Sequence, residues 1–397
     1  MDVTTDMGTD KLTFNSTENP SLNFNDVGAG SLPTDNAAFN STKNPPFEFS
    51  DYTQRVIVAT LFLSVAVLGI FGNTLVILAV LLSRKVRTAT NAFVVNLSVA
   101  DLLTCLVIPW NAVALLGREG LPVGVWVCSV TAVVQNAAVG CSVFSLVFIG
   151  LNRLLLITRP RTTYYKIYTP KKIVVWLVLV WLIPLFITLL PSLMNIGGFT
   201  YNKKYHTCGS TTSQTSSHIY NIIVGGVVYP ILLIIIIACY LLIWRHLKHH
   251  TKKMANAQQI EATPSIPSTI SMGYTGSDDM KLSHVNQKSL KADNSQLGRR
   301  QSAITKNMFF VVCAFMLCVT PYAVVAMYGD SPARPYLFAL FFFNSCVNPI
   351  IYGTKHRDFK AIFRYILRPQ WANIPEPSGF FKVLRRSKCC WVSDQSG

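Results

Sequence analysis

Apolar residues fall in seven long runs separated by shorter polar stretches. A helix needs about 20 predominantly apolar residues to cross a bilayer, and each run is near that length or longer. They cover approximately Arg55–Leu82, Asn91–Leu116, Val125–Ile157, Lys172–Met194, Ser217–Trp244, Ile304–Met327 and Tyr336–Tyr352. The seventh run carries N-S-C-V-N-P-I-I-Y, with Asn344, Ser345, Asn348 and Pro349 ahead of Tyr352. Amides in a spanning helix need partners that lipid does not supply, and proline removes a donor and kinks the helix. This face is therefore expected to meet other helices. After it, Lys355–Leu367 places Phe359, Ile362 and Phe363 on one side and basic residues on the other, the pattern of a helix lying on a membrane surface.

The predicted architecture is all-α, a seven-transmembrane helix bundle with one short amphipathic helix. Composition agrees: 51% of the 397 residues are hydrophobic and 13% charged, against roughly 25% charged in a soluble protein. The net charge of +17 is lopsided. The odd-numbered connections and the C-terminal segment hold 28 of the 35 Lys and Arg, whereas residues 1–51 hold eight acids. Positive loops stay in the cytoplasm, so the N-terminus is expected outside and the C-terminus inside, in the plasma membrane. The anionic inner leaflet explains the basic side without nucleic acid as a partner.

Residues 1–51 read as a disordered outer segment with sequons at Asn15 and Asn40, which predicts glycosylation there. The membrane unit is expected over 52–368, with 245–303 a long, mostly disordered loop and 369–397 a tail. Six cysteines lie inside spans. Cys128 and Cys208 share the oxidising side, so a disulfide between them is expected. Cys389 and Cys390 follow basic residues and are either palmitoylated or ordinary thiols. Arg299-Arg300-Gln301-Ser302 is either a basic-directed kinase site or a span-flanking segment with an incidental serine.

Polar residues inside the spans are costly, and so informative. Asp101 is the one acid deep in a span. It is either neutral and hydrogen-bonded, or part of a polar cavity with Asn73, Ser142, Asn344, Ser345 and Asn348 that holds a sodium ion. No other cofactor is expected. Arg153 lies near the inner end of span 3, either snorkelling or docking on different partners in two states.

Taken together these motifs resemble the rhodopsin-like (class A) G-protein-coupled receptors, over residues 52–368. The resemblance rests on G-N-T-L-V with Asn73, L-S-V-A-D-L-L with Asp101, Trp126 before Cys128, and N-R with Arg153. It continues through Trp181, Pro230, F-x-x-C-x-x-P-Y with Phe315, Cys318 and Pro321, and N-P-I-I-Y with Pro349 and Tyr352. The stretches Asn152–Pro160, T-Y-Y-K-I-Y and C-Y-L-L-I-W most resemble the group of melatonin receptors and the insect receptors moody and trapped in endoderm. The resemblance implies a receptor that passes an extracellular signal to a heterotrimeric G protein by a two-state helix rearrangement, with arrestin, receptor kinases and membrane lipid as further partners. It assigns the sodium pocket to Asp101, Ser142, Asn344 and Asn348, G-protein contact to Arg153, and switch roles to Tyr240 and Tyr352.

Departures from the family pattern sharpen the expectation. Asn152 stands where the family usually has Asp, and cannot ion-pair with Arg153. Gln301 replaces an acid that some members carry at the base of span 6. Basal signalling is therefore expected. Val319 takes the place of the span-6 tryptophan, with Tyr322 or Phe315 as substitutes. Pro230 precedes Tyr240 by ten residues, two more than usual.

Amine receptors of this family carry Asp where this chain has Gln135, so an amine ligand is not expected. Gln135, Asn136, Tyr322, Tyr328 and Phe341–Phe343 form the expected pocket rim, suited to a neutral or amphipathic ligand. The rival readings are a non-signalling scavenger receptor and a transporter or channel; the latter predicts repeats or several buried acids, and neither is legible. No catalytic cluster is legible either, so an enzyme is not expected.

Overall fold

The computed structural model describes residues 48–195, 197–210, 219, 222–262, 305–328 and 331–382, with side chains left aside over 250–262. The sequons at Asn15 and Asn40, the Gln301–Ser302 site and Cys389–Cys390 lie outside the described residues.

Among the described residues seven helices are long and apolar enough to cross a membrane: Tyr52–Leu82, Ala89–Leu116, Val125–Thr158, Pro170–Leu193, Val224–His249, Thr305–Tyr328 and Arg334–Lys355. They are called spans 1 to 7. Their starts follow local chemistry. Asp51 caps span 1 by accepting from the Thr53 amide (2.9 Å), and Thr88 and Thr169 cap spans 2 and 4 in the same way. Large apolar side chains such as Leu68, Phe71, Phe186, Ile234 and Leu317 point outward, as they do where lipid rather than water surrounds the bundle.

Span 3 is the central helix, packed against spans 2, 4 and 5, while span 1 packs on spans 2 and 7. Spans 1 and 7 approach closely at the span-7 proline. A Cβ on Gly72 would lie 2.8 Å from the Pro349 ring, so only glycine fits there. A polar ladder ties spans 2, 3 and 4: Trp181 Nε1 donates to Asn96 Oδ1 (2.8 Å), and Asn96 Nδ2 donates to Ser145 Oγ (2.9 Å).

Span 5 opens with a π-turn over Val224–Val228, immediately ahead of Tyr229 and Pro230. A π-turn inserts a residue into the helical repeat, but this one lies upstream of Pro230, and the ten residues from Pro230 to Tyr240 fall within regular α-helix. The helix then runs on to Ala262, well into the stretch read from sequence as a disordered loop.

Between spans 4 and 5, β1 (Phe199–Asn202) and β2 (Thr207–Ser210) pair antiparallel, Tyr201 opposite Cys208. This hairpin was not anticipated from the sequence. At the other end, the short helix Arg161–Ile167 links spans 3 and 4. The amphipathic helix Arg357–Leu367 buries Phe359, Ile362 and Phe363, with Phe359 stacked on Tyr352 (5.7 Å). The chain then folds back. Ser378 N donates to Leu82 O (2.8 Å), Arg84 N to Glu376 O (2.8 Å) and Ser83 Oγ to Pro375 O (2.6 Å). Ile374 and Phe381 pack on Leu82, so ordered structure runs well past Arg368, into the segment read as tail.

Candidate functional site

The hairpin is fixed over the bundle. A disulfide joins Cys128 at the start of span 3 to Cys208 in β2, as expected. Cys208 N donates to Asn111 Oδ1 (2.9 Å), and Asn111 Nδ2 donates to Gln135 Oε1 (3.0 Å). One amide in span 2 thus links the hairpin to the middle of span 3. Ahead of span 1, Phe49 N donates to Lys204 O (2.9 Å), and Phe49 meets the Tyr336 ring edge-on.

Beneath the hairpin lies a cavity of about 220 Å³. Its walls come from spans 3 to 7 and the hairpin, and include Gln135, Asn136, Val143, Phe144, Val319 and Phe341. The expected rim residues Gln135, Asn136, Tyr322 and Phe341 therefore face one space. Tyr328 does not: it is 86% exposed at the end of span 6 and is no part of the wall. Its spacing from Tyr322, six residues, turns it roughly 120° around an α-helix. Phe343 also faces outward, and Phe342 is buried against Phe62 (5.2 Å). Val319 lines the cavity where the family's tryptophan is missing, and Tyr322 stacks on Phe338 (4.9 Å) beside it. Phe315 is buried one turn below, near Tyr229.

Deeper in the bundle, Asp101 gathers the expected partners. Its Oδ1 accepts from Ser142 Oγ (3.3 Å) and Ser345 Oγ (3.1 Å), and its Oδ2 from Asn348 Nδ2 (2.8 Å). Asn73 Nδ2 joins span 1 to span 7 through Ser345 O (2.8 Å). Asn344 is buried, with no hydrogen bond to its Oδ1 among the described residues; Asn73 Oδ1 is likewise unpaired there. A carboxylate and two hydroxyls meet here, with Asn73 bonded to the adjoining Ser345 carbonyl, an oxygen-rich set that suits a small hard cation.

At the end opposite the hairpin, Arg153 is buried. Asn152, beside it in sequence, is also buried. Thr90 Oγ1 donates to Asn152 Oδ1 (2.6 Å), and Asn152 Nδ2 donates to the Tyr164 hydroxyl (3.1 Å). The neutral amide ties span 3 to span 2 and to the short helix. Burial, then the Asn152 hydrogen bond and Arg153 opposing it, set the Tyr164 phenol above its ordinary pKa. Tyr240 and Tyr352 are buried with no partner for either hydroxyl among the described residues. Asn307 Nδ2 donates to Lys355 O (2.8 Å), joining the base of span 6 to the end of span 7. Pro321 interrupts the donor pattern of span 6, as Pro349 does in span 7.

Sequence reading had no signal for Thr90, Asn111, Tyr164, Asn307 or Arg334, all polar residues whose contacts are long-range. Tyr164 falls within the T-Y-Y-K-I-Y stretch, noted only for its likeness to relatives.

On the hairpin face, His206 Nδ1 bonds the Tyr201 hydroxyl (2.7 Å) and Nε2 lies 3.4 Å from Glu48 Oε1. Burial, and then Arg55, hold the imidazole below its ordinary pKa, with Glu48 opposing. A depressed folded-state pKa stabilises above the ordinary histidine range, and that stability is lost as pH falls through the folded value. Proteolysis within 199–210 is expected to speed up below about pH 6, and the His206→Gln variant to lose that pH dependence.

A helix bundle of this order, with a bridged hairpin over a cavity and a polar track beneath it, defines a seven-helix membrane receptor. Residues 72–352 match the family described as "7 transmembrane receptor (rhodopsin family)". The chain is 29% identical over 316 residues to melatonin receptor type 1B of Mus musculus, covering 76% of this chain and 74% of that one. It is 25% identical over 356 residues to the G-protein coupled receptor moody of Drosophila melanogaster, covering 79% of this chain and 52% of that one. The crystal structure of squid rhodopsin superposes with a TM-score of 0.64 at 20% identity, over 80% of this chain and 87% of that one. The chain belongs to the rhodopsin family of seven-transmembrane receptors. It is a multi-pass membrane protein and a G-protein-coupled signalling receptor, with an extracellular ligand and a G protein as the partners that family implies.

Proposed function

We propose that this receptor faces the hairpin outward at the plasma membrane and takes an amphipathic ligand in the cavity beneath it. The supporting observation is the cavity itself, mostly apolar, roofed by the disulfide-tied hairpin and reaching Gln135, Asn136 and Phe341. Ligand shifts a two-state bundle. We take the described arrangement, with Arg153 buried and Asn307 joining span 6 to span 7, as the closed state. In the signalling state those inner ends part and Arg153 meets the G protein. The unpaired hydroxyls of Tyr240 and Tyr352 are free to find each other, or a shared water, in that state. Arrestin, receptor kinases and inner-leaflet lipid are its further partners.

Asn152 makes the off state loose. It bonds to Thr90 and Tyr164 in place of an ion pair with Arg153. Wild type is expected to signal without ligand in a G-protein dissociation assay, and Asn152→Asp to reduce that signal about fivefold or more. Equal signals from wild type and empty cells would sink this reading.

The Asp101 cluster fits sodium, held by Asp101, Ser142 and Ser345 with Asn73 and Asn344 nearby. The ion would supply positive charge to a buried carboxylate and so favour the closed state. Replacing choline by sodium at constant ionic strength is expected to raise the thermal midpoint of the purified receptor. Asp101→Asn keeps the shape and removes the charge, so its midpoint should not respond to the exchange.

A further inference from the structure

The cavity wall carries one charged side chain among the described residues, and it is Arg334. This residue opens span 7, directly after the N-cap Ala333. Its guanidinium is half-buried, lies 4.8 Å over the Tyr205 ring and is hydrogen-bonded to the Tyr205 and Tyr322 phenols. No carboxylate among the described residues lies within ion-pair distance of it. The phenols solvate this cation but are neutral, so they leave its charge unbalanced, and an anion would balance it. The first turn of a helix adds unsatisfied amides and the positive end of the dipole.

A second observation concerns shape. Beside the main cavity lies a side chamber of about 40 Å³, bounded by Asn202, Tyr205, Thr207, Ser210, Tyr322 and Arg334. Arg334 and Tyr322 border both spaces, so the cation stands at their junction. The chamber is an even mix of polar and apolar wall, Phe338 and Pro335 included, whereas Val143, Phe144, Val319 and Phe341 make the main cavity mostly apolar. The combined site is asymmetric, apolar along its length and cationic at one end.

We propose that the ligand is an amphipathic carboxylic acid, its carboxylate on Arg334 and its apolar body in the main cavity. The planar fork of a guanidinium matches a carboxylate through two parallel hydrogen bonds, which a neutral ester cannot reproduce in strength. The inference rests on the cavity being the ligand site. It narrows the expected neutral or amphipathic ligand to one that is anionic at one end.

The test uses full-length receptor purified in lipid nanodiscs. The probes are a homologous series of straight-chain and phenyl-terminated alkanoic acids, each beside its methyl ester, with binding read from the thermal shift. At least one acid is expected to bind about tenfold or more tightly than its ester. Arg334→Gln should bring that acid to the affinity of the ester, and Arg334→Lys should retain part of the preference. Val143→Trp fills the cavity and should remove binding of acid and ester together. Equal binding of acid and ester, both lost in Val143→Trp, would overturn the acid proposal and leave the cavity reading intact. Binding that survives Val143→Trp would overturn the cavity reading and the proposal with it. So would equal weakening of acid and ester by Arg334→Gln overturn the charge pairing, and an absence of binding by every acid would end the proposal. If Arg334→Gln does not fold, the acid-to-ester ratio in wild type and in Arg334→Lys decides.

Discussion

Replacing Arg153 with Ala is expected to bring receptor-catalysed nucleotide exchange down to the rate of the G protein alone. Arg153 lies near the end of span 3 opposite the hairpin, buried, with Tyr164 and Tyr240 as electrostatic neighbours. A hydrogen bond from a charged donor is worth about 1.5–3 kcal/mol, so its loss weakens coupling by about tenfold to a hundredfold. The measurement is exchange on purified G protein with wild-type and variant receptor at equal density. Binding of ligand in the distant cavity should persist, which separates lost coupling from lost folding. Full exchange by Arg153→Ala would remove Arg153 from the coupling surface. Absence of exchange by wild type as well would favour the scavenger reading.

The second large effect is expected from breaking the Cys128–Cys208 bridge. The two residues are 80 apart in sequence. Closing so long a loop in a free chain is worth about 4 kcal/mol. Here the bundle already holds spans 3 and 4 together, so the loss concentrates in the hairpin. Cys208 is also the residue whose amide reaches Asn111 and, through it, Gln135. Cys208→Ser should therefore lower surface expression and weaken ligand binding together, with a thermal midpoint several degrees below wild type. A double variant, Cys128→Ser with Cys208→Ser, should behave like either single one. An unchanged midpoint in all three would mean the hairpin is held by its strands and by Phe49 instead.

Spans were legible because the membrane imposes a length, and length survives without knowledge of contacts. Span 2 was expected from Asn91 and begins at Ala89; span 4 was expected from Lys172 and begins at Pro170. Asp101, Ser142, Ser345 and Asn348 could be grouped because buried polar groups need partners and few were available. Asn344 was placed with them on the same ground, yet it makes no bond to Asp101 among the described residues. Tyr328 was placed in the pocket by type, and its position on the helix turn put it outside. Arg334 was passed over because a cation at a span boundary reads as a flanking residue. Only the fold of the hairpin shows that it borders a cavity. The partners of Asn152 were beyond reach for the same reason. Sequence showed what the amide cannot do, while Thr90 and Tyr164 show what it does instead.

The return of the chain onto span 1 bears on where this protein can be cut or tagged. Ile374 and Phe381 cover Leu82, and the Ser378 amide bonds to the Leu82 carbonyl, which the end of span 1 would otherwise leave to water. A truncation after Arg368, attractive because the amphipathic helix ends there, strips that cover and leaves Leu78 and Leu82 bare. Expression would suffer for a reason unrelated to signalling. A reporter or affinity tag belongs after Lys382.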